Sequence, residues 1–155
     1  MSTVAYVNGE LVGDRRCTEN GVILGLTRKV FKVQAEFEGE GPTYLVGIVG
    51  NATYIPAFLN FIRGGFRKAD KPKVPDGEDG VGIIEALVID ERGKVCFYTA
   101  PEFEPEEIEA PQYALGSGAK FAKAAMHLGH SALQAVLTAA HFDVYTGPET
   151  DTVTF

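Results

Sequence analysis

The sequence predicts an α+β fold, in which strands and helices are grouped in blocks instead of alternating along the chain. Three observations support this class. Short β-like segments fill the N-terminal third, a single helical pattern follows them, and a second β-like block precedes two helical patterns and a closing strand. The expected helices are residues 51–64, 118–128 and 131–142.

The N-terminal block begins with a predicted β-hairpin, TVAYVNGELVGD. Asn8-Gly9 is its turn, because both residues of a tight hairpin turn adopt positive φ and these residue types tolerate it. The run GVILGLTRKVFKVQAEF predicts further strand, since part of it alternates between apolar and polar residues. TYLVGIVG, residues 43–50, is a continuous apolar run that indicates a buried strand.

The first helix is predicted directly after that buried strand. Asn51 is a favourable N-cap, Pro56 is tolerated in a first helical turn, and Gly64 ends the pattern. The polar segment KADKPKVPDGEDG, residues 68–80, predicts a long loop. VGIIEALVIDERGKVCFYTA then predicts a second hairpin with DERGK at its tip.

The last third predicts a short strand, two helices and a final strand. Gly129 closes the first of these helices and Ser131 caps the second. The preceding segment ALGSGAKFA allows two interpretations. Ser117 is either an ordinary helix cap, or part of a small-residue turn whose free N–H groups contact an anion or oxyanion.

The composition disfavours several classes of protein. A net charge of −7 disfavours binding to nucleic acids or anionic membranes, and no apolar run approaches the roughly 18 residues of a spanning helix. Cys17 and Cys96 provide neither a disulfide framework nor metal spacing, and His127 and His130 lack further ligands nearby. We therefore expect a single domain over residues 1–155 that is soluble, cytoplasmic and without a metal or cofactor.

Longer motifs resemble a known family. YALGSGAKFAKAAMHLGHSALQAVLTAAHFDVYTG is similar to the C-terminal half of proteasome β-type subunits and of the bacterial HslV peptidase. STVAYVNGELVGDRRCT resembles the opening hairpin of that family, and VGIVGN resembles its Gly-rich strand end. The resemblance covers nearly the whole chain except the connectors around residues 66–80 and 101–111. Compact sequences of this kind also resemble phage-encoded members.

The resemblance implies an αββα four-layer sandwich and an N-terminal nucleophile hydrolase that cleaves peptide or amide bonds. In this family the side chain of the first mature residue attacks the carbonyl carbon, and its own α-amine helps act as the base. An α-amine has a pKa of about 7.7–8.0, so it accepts a proton near neutral pH.

The expected nucleophile is Ser2, exposed by removal of Met1, with Thr3 as the second choice. In the family the nucleophile lies an even number of residues before the aspartate at the end of the hairpin. Ser2 is twelve residues before Asp14, whereas Thr3 is eleven before it. A shift of one residue along a strand turns the side chain to the opposite face, which favours Ser2. A serine nucleophile departs from the threonine of the family's peptidases.

The resemblance also implies roles for residues far apart in the sequence. Asp14 and Lys29 match the carboxylate and the lysine of the site, with Lys32 as the alternative lysine. Gly50 matches the glycine whose N–H forms the oxyanion hole, with Gly47 as the alternative. The groups that orient the α-amine match Ser117, Asp143 and Thr146, and a substrate-lining threonine matches Thr18.

The implied partners are a peptide or protein substrate and further copies of the chain in a homo-oligomer. A ring is one such arrangement, and the ring size and any ATPase partner stay open. An alternative hypothesis is a catalytically inactive proteasome-like subunit with a structural or assembly role. Retention of Met1 would favour this alternative, because an acylated Ser2 nitrogen is no longer a base.

Overall fold

The computed structural model describes residues 2–36, 39–73 and 84–155. Its helices are α1 (Ile55–Arg63), α2 (Ala119–His127) and α3 (Ala132–Phe142). Its strands are β1 (Thr3–Val7), β2 (Glu10–Asp14), β3 (Arg16–Glu19), β4 (Val22–Leu26), β5 (Val30–Gln34), β6 (Thr43–Gly50), β7 (Ile84–Ile89), β8 (Val95–Thr99), β9 (Glu106–Glu107), β10 (Tyr113–Gly116) and β11 (Thr150–Val153). This order of elements is the α+β order that the sequence predicts.

The strands form two large antiparallel sheets and one separate hairpin. The first sheet has the order β10-β1-β2-β11, and the second has the order β5-β6-β7-β8-β9. Strands β3 and β4 pair only with each other among the described residues. The predicted turn joins β1 to β2, with φ of 52° at Asn8 and 79° at Gly9.

Three apolar clusters hold the layers together. In the first sheet, Val4 and Leu11 face the second sheet, whereas the adjacent Ala5 and Val12 face α2 and α3. This alternation follows from the two-residue period of a strand. On the far side of the second sheet, a third cluster packs against α1, including Phe58. The four layers are therefore α2 with α3, the first sheet, the second sheet and α1, which is the expected αββα sandwich.

The structure corrects two predicted boundaries. The predicted helix 51–64 begins only at Ile55, because the Asn51 side chain accepts a hydrogen bond from the Thr53 N–H and caps a 3₁₀ turn over Ala52–Tyr54. The run predicted as one continued strand is divided into β4 and β5, which belong to different sheets. Residues 27–29 lie between them, and this interruption brings Lys29 to the end of the sandwich.

Other local predictions agree with the structure. Gly64 is the C-cap of α1, and Ser131 caps α3 in a reciprocal capping box with Gln134. Of the predicted loop 68–80, residues 68–70 form a 3₁₀ turn, whereas residues 74–80 lie outside the described part of the chain. The described helices have nine to eleven residues, which is too short to cross a lipid bilayer.

Candidate active site

The candidate site lies where the ends of several strands meet. Asp14 is the last residue of β2, and Lys29 directly precedes β5. Ser117 follows β10, and Asp143 follows α3. Ser2 directly precedes β1. Elements distant in the sequence therefore bring two hydroxyls, two carboxylates and an ammonium group to one end of the sandwich.

Asp14 is fully buried and accepts four hydrogen bonds. Its Oδ1 accepts from the Thr3 N–H and from Lys29 Nζ, each at 2.9 Å. Its Oδ2 accepts from the backbone N–H groups of Arg16 and Gly147, each at 3.0 Å. A carboxylate has about four acceptor positions, so these four donors satisfy it. Asp14 thus ties β1, β3, β5 and the C-terminal turn together.

Lys29 is 4% exposed and donates two hydrogen bonds. Besides the bond to Asp14, its Nζ donates to the carbonyl oxygen of Arg16 at 2.6 Å. Burial lowers the pKa of Lys29 below its ordinary value, although the adjacent Asp14 acts in the opposite direction. An ammonium group has three N–H donors, so one remains for the cavity that Lys29 lines. The alternative, Lys32, is exposed.

The C-terminal turn centres on Asp143, which is 9% exposed. Its Oδ2 accepts hydrogen bonds from the hydroxyls of Ser117 and Thr146, each at 2.6 Å. Its Oδ1 accepts a longer bond from the Tyr145 N–H at 3.3 Å. Burial acts to raise the pKa of Asp143, but these hydrogen bonds outweigh it, and the pKa lies below the ordinary value. Ser117, Asp143 and Thr146 therefore form one hydrogen-bonded group.

Ser117 does not cap the helix that follows it. Gly118 occupies the N-cap position of α2, where no side chain bonds the free N–H groups. The Ser117 hydroxyl instead points to Asp143. Of the two interpretations of ALGSGAKFA, the helix-cap interpretation is wrong, because the serine lies one residue too early.

The pairing of β1 with β10 positions Ser2. Thr3 pairs with Gly116 in antiparallel register, so the next pair outward would place Ser2 opposite Ser117. Gly116 has a φ of 96°, and a Cβ there would lie 1.7 Å from the Ser2 carbonyl oxygen. Only glycine allows this close approach, which holds the start of β1 against the end of β10.

Ser2 and Thr3 face different environments. Ser2 lines a cavity of about 370 Å³ together with Lys29, whereas Thr3 does not line it. The Thr3 hydroxyl is fully buried on the other side and lies 2.6 Å from the Thr146 hydroxyl. A Cβ at Gly118 would approach that hydroxyl to 2.1 Å, so the space around it is filled. Of these two residues, Ser2 is therefore the one at the cavity wall.

Gly50 and Thr18 also line the cavity around Ser2, which is called here the Ser2 cavity. Gly50 has a φ of 111° at the end of β6. The alternative glycine, Gly47, does not line the cavity. A Cβ at Gly47 would lie 2.5 Å from Val4, which places Gly47 in the tightly packed space between the two sheets.

Arg16 was not singled out from the sequence, yet it connects both halves of the site. Its backbone bonds Asp14 and Lys29, and its guanidinium Nη1 donates to the Val144 carbonyl oxygen at 2.9 Å. A Cβ at Gly147 would lie 2.9 Å from the Arg16 Cβ, so the turn packs directly on this side chain. The position of Arg16, two residues after Asp14, was the available signal in the sequence. Its bonded partner, Val144, lies 128 residues further along the chain, so the contact could not be predicted.

Comparisons with known proteins find the fold in solved structures. No family model and no curated protein matches the chain. Thiobacillus denitrificans BPH is similar with a TM-score of 0.64 and 18% identity, over 99% of this chain and 96% of that one. Its complex with epoxomicin gives a TM-score of 0.65 at 19% identity, over 99% and 97%. Eukaryotic HslV from Trypanosoma brucei gives 0.67 at 16%, over 98% and 97%.

These likenesses show the fold of the chain. Full-length coverage in both directions means that the whole sandwich is shared, not a single motif. The chain therefore has the HslV-like, proteasome-like fold that the motifs indicated. The resemblance to phage-encoded members receives no support from these neighbours, which come from Thiobacillus denitrificans and Trypanosoma brucei.

Proposed function

We propose that the protein is an N-terminal nucleophile hydrolase that cleaves peptide or amide bonds with Ser2 as the nucleophile. One observation carries the proposal: Ser2 and Lys29 line the same cavity, and Lys29 is bonded to the fully buried Asp14. A lysine whose pKa is lowered by burial and that lines the same cavity as a hydroxyl is a candidate for activating that nucleophile. The proteasome-like fold supports the same function.

The proposed reaction has two steps. With Met1 removed, the Ser2 Oγ bonds to the substrate carbonyl carbon while its proton passes to the free α-amine. The C–N bond breaks, and the leaving amine takes that proton. A water molecule then attacks the ester carbon, which releases the acid and restores the Ser2 hydroxyl. The Gly50 N–H stabilises the oxyanion in both steps, and Lys29 favours the negative charge on Oγ.

The Asp143 group orients the base in this proposal. Ser117 follows the β10 residue that contacts the Ser2 main chain, and its hydroxyl is bonded to Asp143. A carboxylate near the α-amine holds its lone pair toward the Ser2 hydroxyl and stabilises the ammonium that forms. Arg16 then acts as a positioning residue, because it holds the turn that carries Asp143.

Replacement of Ser2 tests the proposal. Protein whose mass confirms the loss of Met1 is incubated with a panel of fluorogenic peptides. Ser2→Ala should lower the rate at least about 10³-fold, because the attacking atom is absent. Ser2→Thr should keep measurable hydrolysis, since it retains the hydroxyl. Equal rates for wild type and Ser2→Ala would contradict the proposal.

Epoxomicin is a suitable probe of the same cavity, because a structural neighbour was solved in complex with it. We propose that it binds in the Ser2 cavity. The wild-type protein should then show a higher melting temperature with epoxomicin, and the Ser2→Ala variant a smaller increase. An equal increase in both proteins would place the compound elsewhere.

We also propose a homo-oligomer, supported by exposed apolar side chains outside the site. Val22 and Ile23 on β4 are each about 60% exposed, as is Phe142 at the end of α3. Apolar surface of this kind usually marks a contact with another chain. The same surface would serve the alternative function of a non-catalytic assembly subunit. Inactivity of the wild type toward all peptides, together with a stable oligomer in light scattering, would favour that alternative.

A further inference from the structure

The β3–β4 hairpin separates two cavities. Cys17, Glu19 and Leu24 line the Ser2 cavity but not the other one. Gly21 and Ile23 line only a second cavity of about 520 Å³, whose opposite wall is formed by residues 140–145. Arg16 and Thr18 line both cavities, and the register of β3 shifts between Cys17 and Thr18, so the hairpin forms part of the wall of each cavity. Of the two cavities, Glu19 lines the Ser2 cavity alone.

The charged side chains around the Ser2 cavity differ in whether they have a bonded partner. Lys29 is bonded to Asp14, and the guanidinium of Arg16 donates to Val144, a residue of the second cavity. Glu19 is exposed, and its carboxylate forms no ion pair or hydrogen bond with any residue in the described ranges. Besides the remaining N–H of Lys29, the Glu19 carboxylate is thus a charged group at the Ser2 cavity that can meet a ligand.

The remaining wall is mixed, with threonine and asparagine residues beside an apolar part. Leu24, Ile48 and Ile55 line the Ser2 cavity, and Leu24 lies on the same hairpin as Glu19. These side chains suit an aliphatic side chain of a ligand, which would gain by leaving water. A sphere of the cavity's volume is about 9 Å across, and an extended peptide advances about 3.3 Å per residue, so two or three residues fit.

We propose that Glu19 is a specificity-determining residue that selects peptides with Lys or Arg within two residues of an aliphatic residue. The aliphatic side chain rests on Leu24, Ile48 and Ile55, and the basic side chain meets the Glu19 carboxylate. This inference rests on the proposed function, since it assigns the substrate class of the same cavity.

The test uses peptides that differ only in charge. The probes are capped peptides containing Lys-Ala-Leu, Gln-Ala-Leu or Glu-Ala-Leu, and the same sets in reverse order. Their binding to the Ser2→Ala variant is measured by calorimetry, and their hydrolysis by the protein with intact Ser2 is followed separately. Glu19→Gln removes the proposed carboxylate in each background. Glu91→Gln is the matched control, because Glu91 is exposed on the β7–β8 turn and lines neither cavity.

In at least one peptide order, the lysine peptide should bind about threefold more tightly than the glutamine peptide, and the glutamate peptide more weakly still. The same preference should appear in KM and not in kcat, because a contact away from the reacting atoms acts equally on substrate and transition state. The ratio of the affinities for the lysine and glutamine peptides should fall toward one in 1 M salt, where exposed charges are screened. Glu19→Gln should abolish the preference, whereas Glu91→Gln should keep it.

The outcomes separate this inference from the proposed function. Selective binding to the Ser2→Ala variant without any hydrolysis by the wild type would sustain the role of Glu19 and overturn catalysis. Hydrolysis without charge preference would sustain catalysis and overturn the role of Glu19. If Glu19→Gln and Glu91→Gln reduce the preference equally, the preference arises from the net negative charge of the protein. That result would also overturn the role of Glu19. Absence of binding of every peptide to the Ser2→Ala variant would likewise overturn the role of Glu19.

Discussion

The two carboxylates of the site, Asp14 and Asp143, have different surroundings. Asp14 is completely buried and bonded to an ammonium group and three backbone N–H groups. Asp143 retains some exposure and is bonded to two hydroxyls and one backbone N–H. The donors of Asp14 come from four separate segments, whereas the strong donors of Asp143 are side chains next to the start of β1.

Because of this difference, we expect the two carboxylates to contribute differently to the stability of the fold and to the proposed reaction. A buried charge pair is costly to break, so loss of a partner of Asp14 should affect the fold and the proposed hydrolysis together. Hydroxyl donors can rotate or be replaced by water at a partly exposed carboxylate, so loss of the Asp143 charge should affect mainly the reaction. The following predictions proceed from the largest expected effect to the smallest.

Lys29→Ala should show the largest effect. It leaves the fully buried Asp14 without its ammonium partner, which costs about 3–5 kcal/mol in the free energy of unfolding. Hydrolysis should be abolished in the same variant. Urea unfolding measures the stability, and the peptide assay measures the activity.

Lys32→Ala is the matched control for that prediction. Lys32 lies on the same strand, but it is exposed, so the change should stay within about 0.5 kcal/mol. The double variant Asp14→Asn, Lys29→Met removes both charges and should recover part of the lost stability without recovering activity. A stable and active Lys29→Ala variant would refute the buried-pair account.

Arg16→Ala should have an intermediate effect on both properties. The backbone bonds from Arg16 to Asp14 and Lys29 remain, but the bond to Val144 is lost. We expect about 1 kcal/mol less stability and a fall in kcat with little change in KM, because the turn with Asp143 is held less precisely. Arg16→Lys keeps a donor and should recover part of kcat.

Arg28→Ala serves as the control for Arg16. Its guanidinium is largely exposed and lies 3.9 Å from Asp151, away from the turn. The variant should keep both kcat and stability. If Arg16→Ala also keeps kcat and stability, the Arg16 side chain does not connect Asp14 with Asp143.

Asp143→Asn should have the smallest effect on stability and a clear dependence on pH. The folded-state pKa of Asp143 lies below its ordinary value, so this carboxylate stabilises the fold above its unfolded pKa of about 3.9. That contribution is lost as the pH falls through the lower folded-state pKa. Urea unfolding at pH 6 should show the wild type about 0.5 kcal/mol more stable than the variant, at the lower end of what a hydrogen bond contributes.

The same comparison at pH 3 or below should show a smaller difference, because the Asp143 carboxyl becomes protonated. The hydrolysis rate of the variant at pH 7 should fall strongly, since the amine loses its orienting charge. A stability difference that is independent of pH would mean that the Asp143 charge does not contribute to the fold. A wild-type rate in Asp143→Asn would remove its role in positioning the amine.

Local signals account for the parts of this protein that the sequence predicted well. Asn8-Gly9, Gly64 and Ser131 each determine a backbone conformation through contacts within a few residues, so the hairpin, the end of α1 and the start of α3 were predictable. The order of the elements and their apolar faces likewise followed from short-range periodicity. The candidate residues of the site were found only through resemblance, because no single motif implied them.

The tertiary structure decided the contacts between distant segments. The sequence could not distinguish Lys29 from Lys32 or Gly50 from Gly47, because each choice depends on where a strand is interrupted and which face meets the cavity. It could not connect Arg16 with Val144 either.

By itself, then, the sequence determined the order of the elements, since turns, caps and periodic apolar faces act within a few residues, whereas the four layers were expected from the resemblance. Which side chains share the Ser2 cavity depended on strand pairing and turn contacts between residues more than a hundred positions apart, such as Thr3 with Gly116 and Asp14 with Gly147.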